Sequence, residues 1–291
     1  FFVDYLNMKI DGFARESEAY DTFKTLYDKG KYTNESMLSE LLHYAEFYHA
    51  FLYGDDSKYG KEVNSILRDI QKLKQSTVFL FLFPVFDDFH NGIIEEKELA
   101  KVLRLLLNYS IRRLVCEIGS NSLRGLYKTL HSRVFSNEKN KERYYDSIVS
   151  FLLQLTSKDA LLSDETFALA LKQKNLYRKN ALCKYLLSEL ENQGKEVVVV
   201  DNLSIEHIMP QHLTPAWVEA LGDSFAEIHE SWLHRIANLT LTAYNSKYSN
   251  NTFAEKRDMK NGFKDSGIRM NQRIAQKESW GLTELQERDA Q

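Results

Sequence analysis

Two short segments carry residue types and spacings suited to chemistry on a phosphodiester. The first is Ser-Ile-Glu-His-Ile-Met-Pro-Gln at residues 204–211, and the second is Ala-Asn-Leu-Thr-Leu-Thr-Ala-Tyr-Asn at residues 237–245. An acidic residue directly before a histidine, on a short apolar run that ends in proline, places a carboxylate beside an imidazole. Hydrolysis of a phosphodiester needs a nucleophile made from water and groups that stabilise charge on the phosphoryl and leaving oxygens. The pattern therefore predicts a metal-dependent nuclease site.

Each residue type suggests a role in that reaction. His207 has an ordinary pKa near neutrality, so a neutral imidazole can act as general base. Glu206 and Asn245 present hard oxygen ligands, which suit Mg²⁺ or Mn²⁺. Asn238 begins a β-branched and leucine alternation, and we predict that it starts a strand and ties down the loop of His207. His234 is a possible additional catalytic or phosphate-contacting group, with a packing role as the alternative.

These segments resemble a known nuclease domain. IEHIMPQ and ANLTLTAYNSKYSNNTFAEK are similar to the HNH, or His-Me finger, domain of GmrSD-type modification-dependent restriction endonucleases. The likeness extends to SGIRMNQRIAQKESWGLTELQER near the C-terminus, and less specifically to residues 109–130 and 4–24. The resemblance implies a DNA endonuclease that acts on modified foreign DNA in the cytoplasm.

The resemblance also implies a role for each matching position. His207 would be the general base, Glu206 and Asn245 the metal ligands, and Asn238 the structural asparagine of the finger. The chain departs from the family pattern at two positions, with Glu206 in place of aspartate and Ala237 in place of glycine. The family's Asp-Gly-Gln-Gln-Arg signature for nucleotide hydrolysis does not occur in the sequence. We therefore expect a sensor domain to precede this chain in cis.

The overall charge gives little indication of a nucleic-acid partner. The formal net charge of the 291 residues is -3, so DNA contacts must come from a local patch. Residues 245–273 contain seven basic and three acidic residues, a local excess of +4. The predicted phosphate contacts within this patch are Lys247, Lys256, Arg257 and Lys260. The alternative is that these cations line a solvated helix face.

Cysteine and hydropathy patterns exclude two classes of protein. Cys116 and Cys183 are the only cysteines, and no Cys-x-x-Cys pair occurs, so the sequence excludes a zinc-cysteine site. Two unpaired cysteines suit a reducing cytoplasm. The most apolar run, residues 77–86, is about half the length of a membrane span and contains Pro84. We predict a buried helix there, and no membrane partner. The oligomeric state stays open.

The pattern of apolar residues predicts a mainly α protein with two domains. Helical periodicity continues from about residue 17 to residue 193, which indicates an irregular helical bundle. A β-branched run at 196–200 then predicts a strand. We place the boundary before it, giving a helical domain at 1–195 and a small α+β, HNH-like ββα-metal nuclease domain at 196–291. Inside the latter we expect strands at 205–208 and 238–242, and a helix at 251–259.

Three interpretations of the nuclease motif remain open. His207 could be a satisfied core histidine, which is the usual role of an isolated one. In that case the first interpretation, an active DNA endonuclease, would give way to the second, a non-catalytic nucleic-acid or partner-binding module with a degenerate finger. A third possibility is an RNase or a nickase that uses the same chemistry. The sequence favours an active nuclease over the binding module, because every group that the reaction needs is present, and it does not separate a DNA endonuclease from an RNase or a nickase.

Overall fold

The computed structural model describes residues 1–194, 196–200 and 202–291. Contacts between Cα atoms divide the chain into two compact units. The N-terminal unit is Phe1–Arg113 with Glu117–Leu162, and the C-terminal unit is Leu114–Cys116 with Ser163–Gln291. The domain boundary at 195/196 stays a prediction, and Lys195 itself lies outside the described residues.

The N-terminal unit is built from helices. They are α1 (Phe2–Lys9), α2 (Ala19–Gly30), α3 (Asn34–Tyr53), α4 (Lys61–Lys72), α5 (Phe79–His90), α6 (Glu96–Val115), α7 (Leu123–Val134) and α8 (Tyr144–Leu153). Thr33 caps α3 by accepting a hydrogen bond from Ser36 N at 3.1 Å. The helix ends at Gly54, whose φ of 56° favours glycine and where a Cβ would lie 2.5 Å from Asn64 O.

Helix α5 lies at the centre of this unit and packs against α1, α3 and α7. Its sequence, FLFLFPVFDDFH, is apolar on all sides, as expected for a helix surrounded by others. Its rings from Phe79 to Phe86 are buried, so the prediction of a buried helix in this run is confirmed. At its polar end, Asp88 accepts hydrogen bonds from His131 and Tyr144, which satisfies a buried carboxylate.

The C-terminal unit combines short helices with one small sheet. Its elements are α9 (Asp164–Gln173), α10 (Asn180–Glu191), β1 (Ser204–His207), α11 (Pro215–Leu221), α12 (Phe225–Trp232), β2 (Leu239–Thr242), α13 (Asn245–Tyr248), α14 (Phe253–Asp258), α15 (Arg269–Ile274) and α16 (Leu282–Asp289). The described residues are therefore mostly helical with a two-stranded sheet, as the composition and periodicity predicted.

Strands β1 and β2 pair antiparallel, with Ser204 opposite Thr242 and His207 opposite Leu239. Both predicted strands are confirmed to within one residue at each end. The predicted helix at 251–259 is present as the shorter α14. Helix α10 packs against both strands. An apolar core forms beside the sheet from Met209, Trp217, Trp280 and their neighbours.

The strand predicted at 196–200 is not formed. Val197 and Val199 are 76% and 77% exposed, and the backbone of Val198 is bonded instead to the side chain of Asn192. A β-branched run needs a neighbouring strand to satisfy its backbone, and here an asparagine amide takes that place. Over the part of the chain that the structure describes, no helix is long and apolar enough to cross a membrane.

Candidate active site

Asn238 fastens the end of the sheet that carries His207. Its side chain is fully buried and makes four hydrogen bonds. The amide nitrogen donates to Met209 O at 2.9 Å and to Leu233 O at 3.0 Å. The amide oxygen accepts from Met209 N at 2.8 Å and from the Trp280 indole at 3.2 Å. The turn after β1 is therefore fixed to β2 and to the segment before α16.

His207 lies at the end of β1 in contact with two other rings. Its Nε2 is 3.1 Å from Nδ1 of His234, so one of these nitrogens donates a hydrogen bond to the other. The ring of Tyr177 is stacked on His234, with an interplanar angle of 5°, and meets His207 edge-on at 4.4 Å between centroids. The site thus contains a pair of hydrogen-bonded imidazoles with a tyrosine ring against both.

The surroundings keep His207 neutral. Only 5% of the residue is exposed, and burial lowers the pKa of His207 to about 3, with the charges of His234 and Lys256 acting in the same direction. Burial, followed by the charge of Arg178, also lowers the pKa of His234. A neutral imidazole has a free lone pair for a proton, although the lowered pKa also makes it a weaker base than an ordinary histidine.

Glu206, the residue before His207 on β1, forms a buried ion pair with Lys256. The ammonium of Lys256 lies 2.6 Å from Glu206 Oε1 and also donates to the carbonyls of His207 at 2.8 Å and Ile208 at 3.2 Å. The lysine side chain is completely buried. All three donors of the ammonium are used, so Lys256 holds together the strand end that carries the candidate base.

Burial and charge act in opposite directions on this pair. Burial raises the pKa of Glu206 to about 6, although Lys256 opposes the rise. Burial likewise lowers the pKa of Lys256, and the carboxylate opposes that shift. The short contact and the two bonds to backbone carbonyls compensate for part of the hydration that the pair loses on burial.

Asn245 is the first residue of α13, which contacts β1. Its amide nitrogen donates to Ile205 O at 2.7 Å, which fixes the orientation of the amide and leaves Oδ1 as its acceptor. The residue is exposed. Glu206 and His207 are therefore part of β1, and Asn245 is hydrogen-bonded to the same strand at Ile205.

Glu206 and Asn245 carry the oxygen donors that a hard cation prefers. Within the described residues, no group of three His, Cys, Asp or Glu side chains could hold a metal ion. Magnesium in nucleic-acid enzymes is commonly held by one or two protein oxygens together with water and substrate phosphates. One oxygen of the Glu206 carboxylate is occupied by Lys256, so the second carboxylate oxygen and the Asn245 amide oxygen are the two that stay available to an ion.

The four predicted DNA-contacting cations lie in different environments. Lys247 and Lys260 are exposed. Arg257 is bonded to Asp258 and Glu278. Lys256, predicted at the DNA surface, is instead completely buried, which corrects that assignment. The charge count could not reveal that its position on α14 faces Glu206.

Sequence reasoning missed several residues that support the site. Arg288 donates to the carbonyls of Ala237 and Leu239, and Asn271 accepts from Thr240 at 2.6 Å, so both fasten β2. Tyr177 was missed because it precedes the motif by about thirty residues. The residues around it, such as the apolar Leu176, gave no indication in the sequence that this segment lies near His207.

The C-terminal part of the chain matches a family of nucleases. Residues 162–291 match the model described as GmrSD restriction endonucleases, C-terminal domain. No curated protein matches the chain. The matched segment includes β1, β2, Tyr177 and both imidazoles, so the site lies entirely inside it. Residues 162–291 are therefore similar to the C-terminal domain of the GmrSD restriction endonucleases.

Proposed function

We propose that the C-terminal unit is a metal-dependent DNA endonuclease of the HNH type that restricts modified foreign DNA. The observation that carries this proposal is the placement of His207 at the end of β1, hydrogen-bonded to His234 and directly after Glu206 in the chain. The family match supports nuclease chemistry, and DNA is its implied substrate. The order β1, β2, α13, α14 is compatible with a ββα finger.

His234 sets which nitrogen of His207 can act as base. When His207 Nε2–H donates to His234 Nδ1, the second nitrogen of His207 is unprotonated and can take a proton from water. The opposite tautomer would block that nitrogen with a proton. His234 therefore acts as the acceptor that keeps His207 in its basic form.

Glu206 and Asn245 would hold the magnesium or manganese ion. When bound, such an ion supplies positive charge that stabilises the phosphoryl and leaving oxygens. The hydrogen bond from Asn245 to Ile205 O holds the amide oxygen in one direction. Lys256 bonds both the Glu206 carboxylate and the carbonyl of His207, which fixes the position of the carboxylate relative to the strand. The exposed Lys247 and Lys260 would contact DNA phosphates.

One observation favours the alternative of a non-catalytic binding module. The short contact between Lys256 and Glu206 neutralises the carboxylate that should hold the ion. In that case the finger would be a structural element and the chain would bind nucleic acid without cutting it. The two proposals differ in whether the chain cleaves DNA, and the first requires His207 for cleavage.

The test is cleavage of plasmid DNA by the purified chain with Mg²⁺, Mn²⁺ or EDTA. We expect His207→Ala to lower the rate by at least about a hundredfold, as loss of a positioned base does, while DNA binding persists. His212→Ala is the matched control, because His212 is exposed and lies five residues further along. It should cleave at the parent rate.

Further substrates in the same assay distinguish nicking from double-strand cleavage, RNA from DNA, and modified from unmodified DNA. Supercoiled plasmid distinguishes nicking from double-strand cleavage, and a matched RNA measures substrate preference. Modified phage DNA against unmodified DNA tests the proposed target. Binding without cleavage by the parent chain under every metal condition would instead support the non-catalytic module.

A further inference from the structure

Tyr177 lies outside the motif yet contacts both imidazoles of the site. It belongs to the loop between α9 and α10, close to the start of the C-terminal unit. Both of the ring contacts that the structure gives Tyr177 are with histidines, namely His207 and His234. It is not a member of the apolar core around Trp217 and Trp280.

The loop of Tyr177 is fastened to the segment that carries His234. Leu176 is 1% exposed, and its backbone nitrogen donates to His234 O at 3.2 Å. Lys179 N donates to Leu176 O at 3.0 Å and begins the turn into α10. The backbone around Tyr177 is therefore held beside that of His234 by hydrogen bonds that do not involve the imidazoles.

The geometry of the three rings restricts rotation of the imidazoles. Tyr177 and His234 are parallel, with centroids 5.3 Å apart, so rotation of His234 would drive its edge into the tyrosine face. Tyr177 meets His207 at an interplanar angle of 67°. The hydrogen bond between His207 Nε2 and His234 Nδ1 depends on both ring planes, because nitrogen donors and acceptors lie in the plane of the ring.

We propose that Tyr177 is a positioning residue that holds the His207–His234 pair in the geometry needed for proton abstraction. It acts through the contacts of its ring with His207 and His234, not by touching the substrate. This inference rests on the proposed nuclease function. It predicts that the ring is needed and the hydroxyl is not.

Steady-state cleavage by Tyr177→Phe and Tyr177→Leu tests the inference. We expect the phenylalanine variant to remain within about threefold of the parent kcat, and the leucine variant to lose roughly ten- to a hundredfold in kcat with little change in KM, as misplacement of a catalytic group does. Tyr145→Leu, at a half-buried tyrosine of the N-terminal unit, is the control and should retain the parent kcat.

A second comparison asks whether Tyr177 acts through His234. In the His234→Ala background, adding Tyr177→Leu should lower kcat by a smaller factor than in the parent, because both residues position the same imidazole of His207. Three results would overturn the inference: multiplicative losses in the double variant, equal losses in the phenylalanine and leucine variants, or a loss confined to KM.

A spectroscopic arm does not depend on cleavage. The ring-proton NMR resonances of His207 and His234 should shift in Tyr177→Leu and stay unchanged in Tyr145→Leu, because only the first removes a stacked aromatic ring. Unchanged resonances in Tyr177→Leu would refute the ring geometry. An inactive parent chain with the expected shifts would refute the nuclease proposal and leave the positioning of the pair intact.

Discussion

Replacing Lys256 with methionine is the most direct test of how the site is held. Methionine preserves much of the apolar stem and removes the ammonium, leaving Glu206 buried without its partner. It also removes the donor to the carbonyls of His207 and Ile208. Breaking a buried ion pair by deleting one partner typically costs roughly 3–5 kcal/mol of the free energy of unfolding. We expect a loss in that range at about pH 8.

The dependence of this loss on pH identifies the cause. In the parent, the pKa of Glu206 is already raised to about 6, and removing the ammonium raises it further. A group with a raised folded-state pKa stabilises below its unfolded pKa, and this stabilisation is lost as the pH rises through the folded value. The cost of Lys256→Met should therefore shrink to about 1–2 kcal/mol near pH 5, where a neutral Glu206 is tolerated.

Urea unfolding followed by tryptophan fluorescence measures this free energy. All three tryptophans, at positions 217, 232 and 280, belong to the C-terminal unit, so the signal reports that unit. Lys264→Met is the matched control, since Lys264 is also 2.6 Å from a carboxylate, that of Asp258, and is 56% exposed. Exposed pairs contribute only about 0–1 kcal/mol.

Two results would refute the reasoning. A loss from Lys256→Met no larger than that of the control would mean that the buried pair contributes no more than an exposed one. A loss that does not shrink at low pH would mean that the buried charge of Glu206 is not its cause. The double variant Lys256→Met/Glu206→Gln should be more stable than Lys256→Met alone, because the unpaired charge is gone.

The remaining predictions concern metal, DNA and the loop of His207. The Mg²⁺ concentration for half-maximal cleavage should rise about tenfold for each pH unit below about 6, because protonated Glu206 no longer offers a carboxylate; a flat response would argue against Glu206 as ligand. Replacing Lys247 and Lys260 with glutamine should reduce the salt slope of DNA affinity by about 2, whereas Arg257→Gln should leave it unchanged; an unaltered slope in the double variant would make both lysines part of a solvated face. Asn238→Ala should lower the free energy of unfolding by about 2–4 kcal/mol, since it orphans buried backbone groups of Met209. Unchanged stability with lost cleavage would instead give Asn238 a direct catalytic role.

Much of the fold could be predicted from local pattern. The helical periodicity of the first half and the buried aromatic run of α5 depend on spacing alone, and the structure confirms both. The bounds of β1 and β2 were also predicted to within one residue, because each is a short run of alternating apolar residues next to a residue of the motif, His207 in β1 and Asn238 before β2. The strand at 196–200 failed for a non-local reason, since a strand requires a partner that the sequence cannot guarantee.

The sequence by itself determined which side chains carry the chemistry: an acid next to a histidine, and asparagines at fixed distances along the chain. Only the tertiary structure decided what those side chains contact. Charge counting put Lys256 on a DNA surface, whereas folding buries it against Glu206, fifty residues away. Tyr177 had no distinguishing feature in the sequence, and only the packing of its loop brings it onto His207 and His234. Residue types are local properties, but burial and ring contacts depend on segments distant in the chain, so pKa values and orientations become defined only when the C-terminal unit folds.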